Sequence, residues 1–444
     1  MWMEGVHLSE TPARHGLSAL RHAAIQAADP EALADLIHTA AAQGEDRIAA
    51  WEVLDRAMIV EQARRLMARP DWRDLPLAGV AVGVKDIFDT ADFVTAYGSP
   101  IHAGHRPAQD AAAVAALRAA GAILPGKTVS TEFAYWKAGK TRNPHDPDRS
   151  PGGSSAGSAA AVSAGMVPLA IGSQTAASTI RPAAYCGIVG FKPSLHRISL
   201  AGVKGLAGSM DTAGCFAGTV EDVALLASVL AGRPDWRDPA ASGAPPPRLH
   251  LAIAPEWDQA APWMRAAIDG IADALAGAGA LVTRADAPAA FAPLAQVQAR
   301  LMAAEAARDL APEAYAHHDS LSEPLQALIA AGQRMSPEQQ EADYAARDAA
   351  LAQLAELFSG ADILVAPSAL DEAPRFEDGT GSPDLSRAWT LLGLPSITVP
   401  AGLGPSGLPM GLQLAGLPGR DRALLQAASW VAPQLAPGRR HAAA

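Results

Sequence analysis

One stretch, Ser150 to Ser194, restricts the possible folds of this chain more than any other: SPGGSSAGSAAAVSAGMVPLAIGSQTAASTIRPAAYCGIVGFKPS. Small residues and hydroxyls dominate it. Small residues let a helix lie close to its neighbours, and Ser and Gly make turns. PGGSS places glycines at a tight turn before a helix that follows Ser155, and QTAASTIRP comes just after a strand read at 167–171. The cluster falls between two strands.

The surrounding chain supplies both strands and helices. Residues from about 10 to 70 read as helices, with Asp29-Pro30 as a start signal and Leu33, Leu36 and Ile37 on one face. LAGVAVGV at 77–84 is strand-like and runs into Lys85-Asp86. Asp110 is expected to cap an alanine-rich helix ending at Gly121, followed by a short strand at 122–124. Asp222 is expected to begin another helix. Pro and Gly concentrate at 232–247, a linker or crossover, and strands are read at 249–253, 363–365, 396–399 and 411–414. Residues 262–357 read as mostly helical, either a substrate-facing cap or simply outer helices. This strand-helix-strand rhythm predicts an α/β sheet covered by helices.

Composition narrows the function. The formal net charge is -11, which argues against a broad nucleic-acid or anionic-membrane surface. The start, MWMEGVHLSETPARHG, has no basic segment followed by an apolar run, so no signal peptide is expected, and no apolar stretch is long enough to span a membrane. Cys186 and Cys215 are not in metal-ligand spacing and read as small buried side chains in a reducing, cytoplasmic compartment. Residues 439–444 read as a tail. No metal or organic cofactor is expected.

The chemistry has to come from the serines. Ser178 sits where a helix start would leave amide N–H groups free to stabilise an oxyanion, if Thr175, Ala176 and Ala177 form the turn. A serine needs a base. His145 and His196 lie in no recognisable triad context, and there is no G-x-S-x-G elbow. The remaining base is a lysine kept neutral by burial. Lys85 follows a strongly apolar strand, which suits that role, though a solvated strand-end lysine is the plainer reading.

Here the chain resembles a known family. VGVKDIFDT, TAYGSP, DAAAVAALRAAGAILPGKTVSTEFA, the block from NPHDPDRSPGGSS to GFKPS, and GLPMGLQLAG look like successive blocks of the amidase signature family, from about Leu77 to Leu425. The resemblance implies a single large α/β domain whose central mixed, mostly parallel twisted sheet has helices on both faces. It implies an N-terminal helical region at 1–70, an amidase domain at 71–438, and a variable substrate-side helical region at 262–357. It implies a serine amidohydrolase working through an acyl-enzyme. Lys85 matches the catalytic lysine, Ser154 the bridging serine that follows a cis peptide bond, and Ser178 the nucleophile. Thr175, Ala176, Ala177 and Ser178 would supply oxyanion-hole amides. Ser155 resembles a supporting hydroxyl, and Asp86 and Arg181 look like structural or network members. In the malonamidase-like branch, which Val129 and the QT-x-x-S-x-x-RP form resemble, the arginine matching Arg181 can face a substrate carboxylate; a structural ion pair is the alternative. Phe133, Tyr135 and Trp136 fall near the substrate side, with Trp389 in the core.

The implied partners are a small amide substrate (or a carbamate or ester) and water, with no nucleic acid and no membrane; a homodimer is compatible. The alternative within the family is the glutaminase component of a tRNA-dependent amidotransferase. One departure stands out. Ala176-Ala177 occupies positions where many members have two glycines, so a shifted turn or an altered acyl preference is expected.

Overall fold

A computed structural model describes residues 17–239 and 246–435. The expected tail, the N-terminal start and residues 240–245 of the Pro/Gly-rich crossover lie outside them. Eleven strands among the described residues form one sheet. In chain order they are β1 (Trp51–Leu54), β2 (Val82–Lys85), β3 (Gly126–Thr128), β4 (Leu169–Gln174), β5 (Val189–Lys192), β6 (Thr212–Ala217), β7 (Arg248–Ile253), β8 (Leu281–Asp286), β9 (Ile363–Pro367), β10 (Ser396–Leu403) and β11 (Pro409–Ala415). Across the sheet they run β1-β3-β2-β4-β6-β5-β10-β11-β9-β7-β8.

The sheet is mixed, but the expectation that it is mostly parallel is corrected. Parallel pairing is confined to β3–β2–β4 and β9–β7–β8; β1–β3 and every pair from β4 through β6, β5, β10 and β11 to β9 are antiparallel. Connections explain this. A parallel pair needs a long crossover, usually a helix. Such helices intervene between β2 and β3 (Ala112–Ala119), β3 and β4 (Ala156–Ser163), and β7 and β8 (Pro262–Gly277). Between β5 and β6 the chain is irregular, and β10 and β11 form a hairpin.

Alternation along the strands divides the core in two. Leu169 and Ile171 of β4, Val82 and Val84 of β2, and Cys215 of β6 face one core, covered by the helices Ala112–Ala119, Val220–Leu230 and Asp421–Val431. Ala170 and Phe216 face the other, covered by Pro30–Ala42, Arg56–Met67 and Ala156–Ser163. The serine-rich helix is small because it is pressed against the sheet. A Cβ added at Gly157 would lie 2.3 Å from both the Ala50 carbonyl oxygen and the Val129 nitrogen. Cys186 and Cys215 are buried free thiols, and burial raises both above the usual thiol range.

Several local expectations change. The Asp29 carboxylate does cap its helix, accepting from the Ala32 amide at 2.9 Å, but Leu36 points outward at 44% exposure. Asp110 caps nothing; it accepts from the Ala91 amide and the Arg118 guanidinium, both at 2.8–2.9 Å. The helix at 220 is capped by Thr219 rather than started by Asp222, whose amide donates to the Thr219 hydroxyl at 3.1 Å. β1 interrupts the region read as wholly helical, and β8 interrupts 262–357. The remaining helices of that segment are packed around Leu294–Asp309, which contacts Glu323–Gln333, Pro337–Ala352 and Asp384–Leu391.

Candidate active site

Three lysines are completely buried: Lys85, Lys127 and Lys192. Burial alone therefore does not single one out; their partners do. Lys127 Nζ sits 3.0 Å from the Asp86 carboxylate and donates to the Phe88 carbonyl and Thr95 hydroxyl, so Asp86 serves as its counter-ion. Lys192 donates to the Pro193 and Leu394 carbonyls, which have no proton to give. Lys85 donates to two hydroxyls, Ser154 Oγ at 2.7 Å and Ser173 Oγ at 2.8 Å. Burial lowers the Lys85 ammonium to about 7, partly opposed by the Asp211 charge. A primary amine that is about half neutral near pH 7 and bonded to a hydroxyl can accept that hydroxyl's proton.

Two elements deliver the hydroxyls. Ser154 follows a cis peptide bond from Gly153 and lies two residues before the helix Ala156–Ser163, whose N-cap is Ser155. Ser173 lies in β4 beside β2, so the sheet itself brings it to Lys85. The Ser155 hydroxyl donates to the Ser173 carbonyl at 3.2 Å and accepts from its amide at 3.3 Å, which fixes the strand where Lys85 meets it.

Ser178 lies in the turn that joins β4 to the helix Ile180–Tyr185. Side chains clamp this turn from several directions. Gln174 Oε1 accepts from the amides of Thr179 and Ile180 at 2.9 and 3.0 Å. Gln298 Nε2 donates to the Thr175 carbonyl at 2.8 Å, and the Thr390 hydroxyl donates to the Ala176 carbonyl at 2.7 Å. The Thr175 hydroxyl donates to Asp211 Oδ1 at 2.5 Å, while Asp211 Oδ2 accepts from the Leu206 and Ala207 amides. Burial raises the Asp211 carboxyl to about 6 against those stabilising bonds.

In a trans peptide the N–H points away from the C=O. With the carbonyls of residues 175 and 176 held by Gln298 and Thr390, the amides of Ala176 and Ala177 face the other way. Among the described residues, the amides of Ala176, Ala177 and Ser178 donate to no protein group. Fixed, unspent donors beside a serine hydroxyl are what an oxyanion requires.

The alanine pair does not strain this turn. Neither Ala176 nor Ala177 adopts positive φ, so glycine's freedom is not needed there. Ala177 is buried away from the pocket, while Ala176 is half-buried and lines it. The expected distortion is therefore corrected to a single methyl group on the pocket wall. Left-handed backbone occurs instead at Phe133, Ala134 and Trp136, with φ of +46°, +61° and +44°. A non-glycine residue held there costs about 1–3 kcal/mol and often marks a functional site.

Ser154 and Ser178 line one chamber together with Thr175, Arg181, Tyr135 and Trp136. Phe133 does not reach it: the ring is fully buried, edge-on to His102 at 5.8 Å between centroids. Arg181 is buried and forms no ion pair among the described residues, which corrects the structural-ion-pair alternative. It donates to the Gly153 carbonyl at 2.7 Å, the Thr380 hydroxyl at 3.2 Å and the Gly381 carbonyl, leaving Nε without a partner. Burial lowers it to about 10. Trp389 is core, packed near Phe291.

Sequence reasoning missed Ser173, Asp211, Gln298, Arg387 and Thr390. Ser173 lay in plain view, five residues before Ser178 on the strand adjoining Lys85. Gln298 left a fainter signal: a lone amide among Leu294, Val297 and Leu301 on the buried side of its helix.

A family model described as Amidase matches residues 32–425. A glutamyl-tRNA(Gln) amidotransferase component from Symbiobacterium thermophilum is 44% identical over 223 residues, which span 48% of this chain and 46% of that relative. The component of the same description from Anaeromyxobacter sp. (strain K) is 34% identical over 435 residues, covering 86% of this chain and 88% of that one. Among solved structures, the crystal structure of an amidase superposes with a TM-score of 0.84 at 29% identity, covering 95% of this chain and 100% of that chain.

Proposed function

Since the chain belongs to the amidase family, whose members act on carbon–nitrogen bonds, we propose that Ser178 attacks the carbonyl of an amide while Ser154 and Lys85 carry the proton. The observation that supports this most is the fully buried Lys85 Nζ, 2.7 Å from Ser154 Oγ. Neutral Lys85 takes the Ser154 proton as Ser154 takes that of Ser178 and the Ser178 oxygen adds to the carbonyl. The amides of Ala176, Ala177 and Ser178 hold the oxyanion. When the C–N bond breaks, Ser154 gives its proton to the departing amine and recovers one from Lys85. Water then adds to the acyl group on Ser178 through the same relay, and the acid leaves with the serine restored. Ser173 and Ser155 hold Lys85 in place, and Arg181 holds the carbonyl of Gly153 just before Ser154.

Two readings of the substrate follow. Likeness to a solved amidase along nearly the whole of both chains supports a stand-alone amidase for small linear or aryl amides, with carbamates or esters as further acyl donors. The amidotransferase relatives support the second reading more strongly: a glutaminase component that releases ammonia from glutamine for partner proteins. The two share every step at Ser178 and differ in the acyl donor and in what receives the amine.

The test is a hydrolysis panel of aliphatic amides, anilides, dicarboxylate half-amides, glutamine and aryl carbamates, run beside Ser178→Ala. Turnover abolished by Ser178→Ala is expected on whichever substrates the protein accepts. Full activity of the variant on all of them would refute the mechanism. Glutamine turnover that rises on adding the other amidotransferase components would select the second reading; anilide or aliphatic amide turnover by the isolated chain would select the first.

A further inference from the structure

The chamber at Ser178 is narrow, about 30 Å³. It adjoins a groove of about 920 Å³, and Tyr135, Trp136 and Arg387 border both. A scissile carbonyl fits the first; the bulk of a substrate has to lie in the second. The groove runs between the helices Leu294–Asp309 and Glu323–Gln333, with Ala303, Leu328, Ala331 and Met335 as its apolar surface.

Every charged side chain bordering either space is an arginine: Arg181 and Arg387 inside, Arg300, Arg334 and Arg387 outside. In a chain of net charge -11 this is a local reversal of sign. Part of it is compensated. Arg300 makes a bidentate pair with Asp343 at 2.6 and 2.9 Å. Arg387 Nε donates to Asp384 at 2.8 Å and Nη1 to Gln298, which leaves Nη2 without a protein acceptor among the described residues. The rest is not compensated. Arg181 meets only neutral oxygens, and the exposed Arg334 forms no ion pair among the described residues. Unpaired guanidinium groups beside an apolar wall suit an anion carried on an apolar arm, because a planar guanidinium matches a carboxylate with two parallel donors.

We propose that the groove is a recognition site for a carboxylate at the remote end of the amide substrate, joined to the scissile bond by an apolar segment and read by Arg334 and Arg387. This rests on the reading of Ser178 as the nucleophile, and the experiment separates the two. Monoanilides of straight-chain dicarboxylic acids place the carboxylate on the acyl arm; N-acyl ω-amino acids place it on the amine arm. Each is compared with its own methyl ester across a series of chain lengths. In at least one series the free carboxylate is expected to be preferred about tenfold in kcat/KM. The preference should lie in KM and shrink in 1 M salt, as screening requires.

Arg334→Glu is expected to cut that preference about tenfold. Arg387 is a poorer probe, because it also holds Gln298 at the turn. Equal turnover of acid and ester in both series, or an equal effect of Arg334→Glu on both members of a pair, overturns the inference. The Ser178 mechanism would survive that result provided the esters are still cleaved in a Ser178-dependent way. Calorimetric titration of adipate into the Ser178→Ala protein, with and without Arg334→Glu, gives an answer without turnover. Binding weakened by the charge reversal supports the site; absent or unchanged binding overturns it.

Discussion

The two walls of the Ser178 pocket are built on different principles. The sheet wall, with Lys85, Ser154, Ser173 and Thr175, is buried and small, its hydroxyls bonded to the Lys85 amine or to the Asp211 carboxylate. The helical wall, with Met302, Arg334 and Arg387, and Trp136 from the loop beside it, is larger, more exposed and cationic. Burial is what lets a lysine lose its charge near pH 7 and so accept a proton. Long side chains at the edge of solvent are what distinguish one substrate from another. The walls meet at the oxyanion turn, where Gln298 and Thr390 from the helices grip carbonyls of the sheet-side loop. Chemistry and selection are thus separable except at that junction, and variants can show where the separation fails.

The largest effect belongs to the sheet wall. Lys85→Ala is expected to lower kcat by about 10⁴ or more on every substrate, with KM little changed, since members of one proton relay fail as a unit. Steady-state kinetics on the full panel measures this; loss confined to some substrates would mean that the lysine selects rather than reacts.

The junction comes next. Gln298→Leu removes the donor to the buried Thr175 carbonyl and the acceptor for the half-buried Arg387, at about 1–3 kcal/mol for a buried unpaired group. The expected outcome is a ten- to hundredfold lower kcat, at about 1.4 kcal/mol per factor of ten. The loss should be similar for neutral and anionic substrates. A loss seen only with anionic substrates would place Gln298 on the selection side.

A smaller effect is a shift in pH dependence. The acting form of Lys85 is the neutral amine, present above its pKa and lost below it. The kcat/KM of the wild type should therefore rise with pH and level off above about 7. The Asp211 charge holds that pKa up, so Asp211→Asn should move the rising limb to lower pH, while the weakened Thr175 anchor lowers the plateau. A limb that stays in place or moves to higher pH breaks the electrostatic link between the two residues. Lys85→Ala identifies the limb, because it should have none.

The same division explains what could be read in the sequence. Lys85, Ser154 and Ser178 lie in short local patterns: a branched apolar strand ending in lysine, a glycine turn before a serine, and a serine after a strand. They meet only across the fold, Lys85 and Ser154 being 69 residues apart, and it is the resemblance of those patterns to family blocks that joined them. The helical wall has no such signature. Gln298 meets Thr175 across 123 residues of chain, and Arg387 meets Gln298 across 89. Each is a single polar residue in a helix whose local pattern is satisfied with or without it. At Gly332 a Cβ would lie 2.0 Å from the Ala303 carbonyl oxygen, a close helix contact visible only once the helices are paired. The fold divides in a similar way. Strands with alternating branched residues, such as β2 and β7, were legible. β6, TAGCFA, was not, because its small residues answer to neighbours; a Cβ at Gly214 would meet Thr179 Oγ1 at 2.2 Å.

The smallest expected effect tests the boundary of the sheet wall itself. Ala176 and Ala177 are adjacent, yet only Ala176 lines the chamber, while Ala177 is 1% exposed and faces the interior. Neither needs a glycine's backbone. Ala177→Gly should therefore leave kcat, KM and the acyl range within about twofold. It should cost about 0.4–1 kcal/mol of stability, because the freer unfolded chain loses more entropy on folding. Ala176→Gly carries the same backbone cost but also removes a methyl from the chamber, so the relative kcat/KM of bulkier acyl groups should rise. Urea unfolding and a two-substrate competition on both variants measure the pair. A change in acyl preference from Ala177→Gly equal to that from Ala176→Gly would mean that the turn responds as one unit, and the sheet wall would then select as well as react.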